Sequence, residues 1–288
     1  GHKFKTSKQD KRGDLMRFFL AFLAFALVFG SISAVVILKH NELSLKSIFS
    51  KETTTESGDE TTADDQPVSP VKLSGKTNFL IYCSSNDFSE MYFIHIVEAD
   101  MDNCIIKDRP LNPDGKTTDG KTYVQLLKES GAGKLVSAIE EKEGVKISKY
   151  VGSNAETFAL AINYMDGLEY TVDERIEYRN SAYTLILTKG NQTIKGETLI
   201  KYFRYCKTLG VDGMRTQGKL ICAMLDSYIN DNNVDKGTRI YQRLLSNLDS
   251  NSDISYFEAA EAMPTVKAFC DSENRQNSTI IINDSSIF

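Results

Sequence analysis

The chain has 288 residues, 41% of them hydrophobic and 25% charged, with a formal net charge of -5. These proportions suit one or two globular domains at about 150 residues each, and the acidic balance excludes the basic surface on which a nucleic-acid binder relies. Five cysteines, Cys83, Cys104, Cys206, Cys222 and Cys270, show no Cys-x-x-Cys spacing, so no zinc or dithiol motif of that kind is present. They read as small buried hydrophobes, with room for one disulfide whose partners the sequence does not choose.

In chain order, residues 1–17 form a basic tail that carries Lys3, Lys5, Lys8, Lys11, Arg12 and Arg17. An uninterrupted uncharged apolar run follows over 18–38, and about 20 such residues cross a bilayer as a helix. Basic flanks stay in the cytoplasm, so the expected topology is a single-pass cell-membrane protein with its N-terminus inside and its C-terminal part outside. Residues 39–74 are expected to be a flexible extracellular tether. The stretch from Glu52 to Pro70 is rich in Thr, Ser and acids, and cannot bury enough apolar surface to offset the entropy of ordering it.

Beyond the tether the pattern becomes globular. Asn78–Cys83, Met91–Val97 and Cys104–Lys107 read as strands, and Ser84-Ser85-Asn86-Asp87 reads as a turn after the first. Tyr123, Leu126 and Leu127, then Leu135, Val136 and Ile139, repeat with helical spacing and stop near Gly144. Val145–Val151 reads as a strand, and Asn154 opens a helix that stops at Asp166-Gly167. Strands are predicted at Leu168–Val172 and Ala182–Leu187, followed by a helix from Lys195-Gly196-Glu197 through Tyr205. Gly213 is expected to precede a long helix, with further helices at Lys236–Leu248 and Ser255–Ala268 and an edge strand at Thr279–Ile282. The alternation predicts an α/β domain over 75–250, a central mixed sheet layered by helices, then a C-terminal helix and tail over 251–288. No phosphate-binding glycine loop, dinucleotide glycine cluster, His-Glu-x-x-His or Gly-x-Ser-x-Gly occurs.

One stretch says more. Gly196-Glu197-Thr198-Leu199-Ile200-Lys201-Tyr202-Phe203-Arg204-Tyr205-Cys206 followed by Asp212-Gly213-Met214-Arg215-Thr216-Gln217 resembles two helix motifs of the LytR-CpsA-Psr family. Asn163-Tyr164-Met165-Asp166-Gly167-Leu168-Glu169-Tyr170-Thr171-Val172 is similar to that family's turn and strand. The resemblance spans roughly residues 78 to 230. It implies a membrane-anchored extracellular transferase that attaches a glycopolymer, carried on polyprenyl pyrophosphate, to peptidoglycan. Its partners would be that glycolipid, the wall and the membrane.

The implied chemistry assigns roles. Arg204, Arg215 and, more loosely, Arg109 would contact the pyrophosphate, because a guanidinium fork matches phosphate oxygens. Asp87 and Glu90 would hold Mg2+ or Mn2+, and Phe158, Ile162, Phe203 and Leu220 would line a slot for the lipid. The match is divergent: Cys206 and Gly218 stand where the family has further arginines, and Ser85 stands near the place of an acid. The plainer readings are an ion pair for Arg204, a surface cation for Arg215, a solvated loop cation for Arg109, solvated loop acids for Asp87 and Glu90, and core packing for the aromatics and for His95. A catalytically decayed protein that binds lipid or glycan, or scaffolds envelope synthesis, is the alternative function. A tethered adaptor of unrelated fold is a third.

Overall fold

A computed structural model describes residues 71–229, 251–252 and 256–282. The expected membrane helix, almost all of the tether and the helix expected at 236–248 lie outside the described residues. No helix among the described residues is long and apolar enough to cross a membrane.

Strands β1 (Lys76–Ser84) and β2 (Met91–Asp100) form an antiparallel hairpin at the centre of the sheet, with Leu80 opposite Ile96 and an irregularity between Cys83 and Ser84. Strand β3 (Ile105–Pro110) pairs antiparallel with β2, and β4 (Lys149–Asn154) pairs parallel with β1. Two-residue strands close the edges: β9 (Asn251–Ser252) against β4, and β10 (Thr279–Ile280) parallel to β3. The order β10-β3-β2-β1-β4-β9 is the mixed sheet that the alternating pattern predicts. Helix α1 is Tyr123–Glu143, and strands β5 (Leu168–Val172) and β8 (Gly190–Ile194) make a separate ribbon, as do β6 (Ile176–Arg179) and β7 (Thr184–Leu187). The remaining helices are α2 (Ala155–Tyr164), α3 (Gly196–Lys207), α4 (Gly210–Tyr228) and α5 (Tyr256–Cys270).

Successive side chains of a strand point to opposite faces, so each central strand feeds two cores. Leu80, Tyr82, Ile94 and Ile96 pack on one face with Tyr123, Leu127, Leu135 and Ile139 of α1. Phe79, Phe93, Val97 and Ile106 pack on the other with residues of α2 to α5. Burying each such side chain is worth about 1.5–3 kcal/mol relative to leaving it in water. No disulfide joins the five cysteines; four are buried and Cys270 is half-buried.

Local signals explain most element ends. Thr122 and Gln125 form a reciprocal cap at the start of α1, and Gly144, at φ 65°, turns the chain out of it. Asn154 caps α2 by accepting the Thr157 N–H, as its position predicts. Three expectations shift. The strand expected at 145–151 begins at Lys149, because Ile147 N–H donates to Glu140 Oε1 and the Asn78 side chain donates to the Lys146 carbonyl, holding 146–148 as a connection. Leu168–Val172 is a strand, but it pairs with β8 outside the central sheet. Gly213 does not precede the long helix but lies within it, since Gly210, at φ 58°, makes the turn instead.

Candidate functional site

The turn between β1 and β2 is organised around one hydroxyl. Ser85 Oγ accepts the N–H groups of Ser89 (2.9 Å) and Glu90 (3.0 Å) and donates to Asp87 Oδ1 at 2.7 Å. Ser89 Oγ donates to the same Asp87 oxygen, also at 2.7 Å. The hydrogen bond from Ser85, then those from Ser89, hold the exposed Asp87 carboxyl down at about 2. Ser85, where the resemblance suggests an acid, is therefore the hub of the turn, and its bonds aim Glu90 out of it.

Glu90 meets the C-terminal turn of α3. Its Oε2 lies 3.0 Å from Arg204 Nη2 and its Oε1 lies 3.0 Å from Lys207 Nζ. Lys207 Nζ also stands 3.0 Å from Asp114 Oδ1, which comes from the loop after β3. Lysine and arginine in a last helical turn complement the negative end of the helix dipole. The Arg204 guanidinium lies 5.2 Å from the Tyr92 ring centre and 4.6 Å from that of Tyr183. Its Nε is buried and has no partner among the described residues. Burial pushes the Tyr183 phenol up to about 12, so this ring stays neutral beside the cation. Glu90 and Asp114 also line a cleft of about 430 Å3 with Phe88, Met91, Pro113 and Val124.

The other residues singled out from the sequence stand elsewhere. Arg109 sits opposite Ile96 in β3, and strand alternation puts it on the sheet face away from Asp108 and from α3. Arg215 is half-exposed on α4 and ion-paired with Asp212 at 2.7 Å. The three arginines therefore do not gather around one point. Phe158, Ile162, Phe203 and Leu220 are all buried in one core cluster, and Phe158 and Phe203 make ring contacts with each other and with Phe93. None of the four lines the cleft beside Glu90. His95 is fully buried and its Nδ1 stands 2.8 Å from Asp108, the core role its strand position suggests.

A divalent cation is implied by the resemblance, so the fit of the acids matters. Both Glu90 oxygens face cationic nitrogens, and Asp87 Oδ1 receives Ser85 and Ser89. Among the described residues no group of three or more His, Cys, Asp or Glu side chains is placed to hold a metal. The acids as arranged do not fit such an ion.

Sequence reasoning missed Lys207, Asp114, Tyr92 and Tyr183. Lys207 had a signal, since it lies one turn beyond Arg204 on the same helical face; the others are brought in only by the fold. The two stretches that carry the resemblance do touch. Asn163 Oδ1 accepts the Gly196 N–H at 2.7 Å and its amide donates to both Glu197 oxygens at 3.0 and 3.1 Å, so the last turn of α2 caps α3. Cys206 is wholly buried, and a Cβ on Gly218 would stand 2.8 Å from Ile280 and 3.0 Å from Pro110. Neither position has room here for an arginine.

The fold has known counterparts. A crystal structure from Eubacterium siraeum DSM 15702, described as a transcription regulator, is 16% identical, covers 78% of this chain and 90% of its own, and superposes with a TM-score of 0.63. That of TagV from B. subtilis is 18% identical, covers 74% and 85%, and gives 0.57. TagT bound to LI-WTA is 16% identical, covers 76% and 82%, and gives 0.51. At such identities the likeness is one of fold. No curated protein sequence matches. The profile of the LytR_cpsA_psr family does match, over residues 105–285, which takes in β3, α1 to α5 and β10. With the Gly196 and Asn163 stretches joined in space and well over half of the sequence matched, this chain belongs to the LytR-CpsA-Psr family.

Proposed function

We propose that this chain is a divergent, membrane-anchored extracellular transferase that moves a glycopolymer from a polyprenyl-pyrophosphate carrier to the peptidoglycan of the cell wall. Family membership supports a role in handling cell-wall glycopolymers, and the structural neighbour TagT is seen bound to LI-WTA. The observation that carries the reading is Arg204, a guanidinium beside two tyrosine rings that shares Glu90 with Lys207, and Glu90 in turn lines a cleft. In the transfer an acceptor hydroxyl of peptidoglycan forms a bond to the glycan-side phosphorus and gives up its proton to water, the anhydride bond to the lipid phosphate breaks, and the charge that develops on the departing polyprenyl phosphate calls for fixed donors. Arg204 and Lys207 would supply them by exchanging Glu90 for phosphate oxygens. Arg215 and Arg109 stand outside this cluster.

The test is release of polyprenyl phosphate from a glycopolymer-linked polyprenyl pyrophosphate by the full chain in lipid nanodiscs supplied with peptidoglycan as acceptor. Wild-type turnover is expected, and Arg204→Ala should lower kcat by about 10²-fold, the usual cost of removing one charge-stabilising donor. Wild-type turnover no greater than that of an Arg204→Ala, Arg215→Ala double variant would sink the transferase reading.

A second reading, a catalytically decayed lipid- or glycan-binding protein of envelope synthesis, has its own support. Arg204 and Lys207 are already balanced by Glu90 and Asp114, and the two positions of further family arginines are closed by packing. Recovery of bound glycolipid with the wild-type chain, without turnover, selects it.

A further inference from the structure

We infer that Lys207 takes the place of the divalent cation at this site, so that binding of a diphosphate here needs no metal. The inference rests on the reading of the Arg204 cluster as a diphosphate site and says how that site is neutralised. Lys207 Nζ stands 3.0 Å from Glu90 Oε1 and 3.0 Å from Asp114 Oδ1, with its side chain only 9% exposed. Those two acids come from different loops, one between β1 and β2 and one after β3, and like charges brought together need a cation between them. An ammonium does that task here from within the chain. The second Glu90 oxygen is held by Arg204 at 3.0 Å, so each Glu90 oxygen already has a cation of the chain beside it. A Mg2+ ion demands oxygen ligands at about 2.0–2.1 Å and would have to expel the ammonium from both acids to reach them. A lysine ammonium has three donors. One is given to Glu90, and a shift of the exposed Asp114 would free the ammonium for a phosphate oxygen.

Two measurements on the full chain in nanodiscs test this. Electron paramagnetic resonance of Mn2+ should detect no uptake by wild-type protein, a gained site in Lys207→Ala, and loss of that gained site in Lys207→Ala, Glu90→Gln. Calorimetry with inorganic pyrophosphate in EDTA should show binding by the wild type, retained in Lys207→Arg and weakened about tenfold in Lys207→Ala, the scale of one charge-assisted hydrogen bond. Supplying Mn2+ should restore the Ala variant, a recovery that a merely structural lysine would not give. Wild-type protein that takes up Mn2+ through Glu90, or binds pyrophosphate only when Mn2+ is present, overturns the inference alone. Wild-type protein indifferent to pyrophosphate both in EDTA and in Mn2+ overturns the function proposed above.

Discussion

At the scale of single residues, Ser85 shows how a hydroxyl organises a charged turn. Its bond to Asp87 is the largest cause of the low carboxyl value, with the two contacts from Ser89 next. Ser85→Ala should therefore let the Asp87 carboxyl rise toward the ordinary value of about 3.9, as read by NMR titration of the side-chain carbon. No movement would mean that the Ser89 contacts suffice. The sign of the pH effect follows. The folded value lies below the unfolded one, so the carboxylate supports the turn fully above about pH 4, and that support is lost as pH falls toward about 2. The sequence named Asp87, Glu90 and Arg204 one at a time. It did not show that Glu90 pairs with Arg204, because the two are far apart in the chain and only the hairpin packed against α3 joins them.

At the scale of elements, α3 depends on a cap it does not carry. Lys195 makes no side-chain cap, and the Gly196 N–H is met instead by Asn163 in the last turn of α2. Asn163→Ala should cost about 1–2 kcal/mol through the lost cap and the donor left unmet. For a domain of this size that lowers the midpoint of thermal unfolding by about 2–4 °C per kcal/mol, measurable by circular dichroism. An unchanged midpoint would show that water replaces the amide without loss. Gly213 illustrates the limit of reading glycines as helix stops. A Cβ there would fall 1.7 Å from the Cys206 carbonyl oxygen, so the glycine serves the close approach of α4 to α3. Helices with clear caps, such as α1 (broken at Gly131, φ 80°) and α2, were legible. Strands β6 and β8 were not: β8 buries only Ile194, and β6 alternates half-buried with exposed residues, so neither has a hydrophobic run to announce it.

At the scale of the whole molecule, the sheet and its two layers of helices were readable from alternation, because each central strand needs apolar residues on both faces. The site was readable only in part. Its cations lie on one helix with a recognisable motif, whereas its acids and tyrosines arrive from four other segments, the turn after β1, the start of β2, the loop after β3 and the residue before β7. Arg109 and Arg215 were chosen by likeness of local sequence, which does not reveal the sheet face of a strand residue or the solvent side of a helix.

The tail that follows α5 has a consequence of its own. Gln276 N–H donates to the Cys104 carbonyl, Ile281 N–H to the Asp108 carbonyl, and Ser278 is bound by Asp226 of α4 through its N–H at 2.9 Å and its hydroxyl at 2.8 Å. This short segment roofs the outer backbone of β3. A chain ended after Cys270 would leave that row of carbonyls and amides open as a template for a neighbouring molecule. Such a shortened protein should self-associate with rising concentration in light scattering, where the longer chain keeps a constant mass; equal behaviour of the two would mean that β3 is safe without its cover. Colloidal stability would then be governed by a few residues far from the Arg204 cluster.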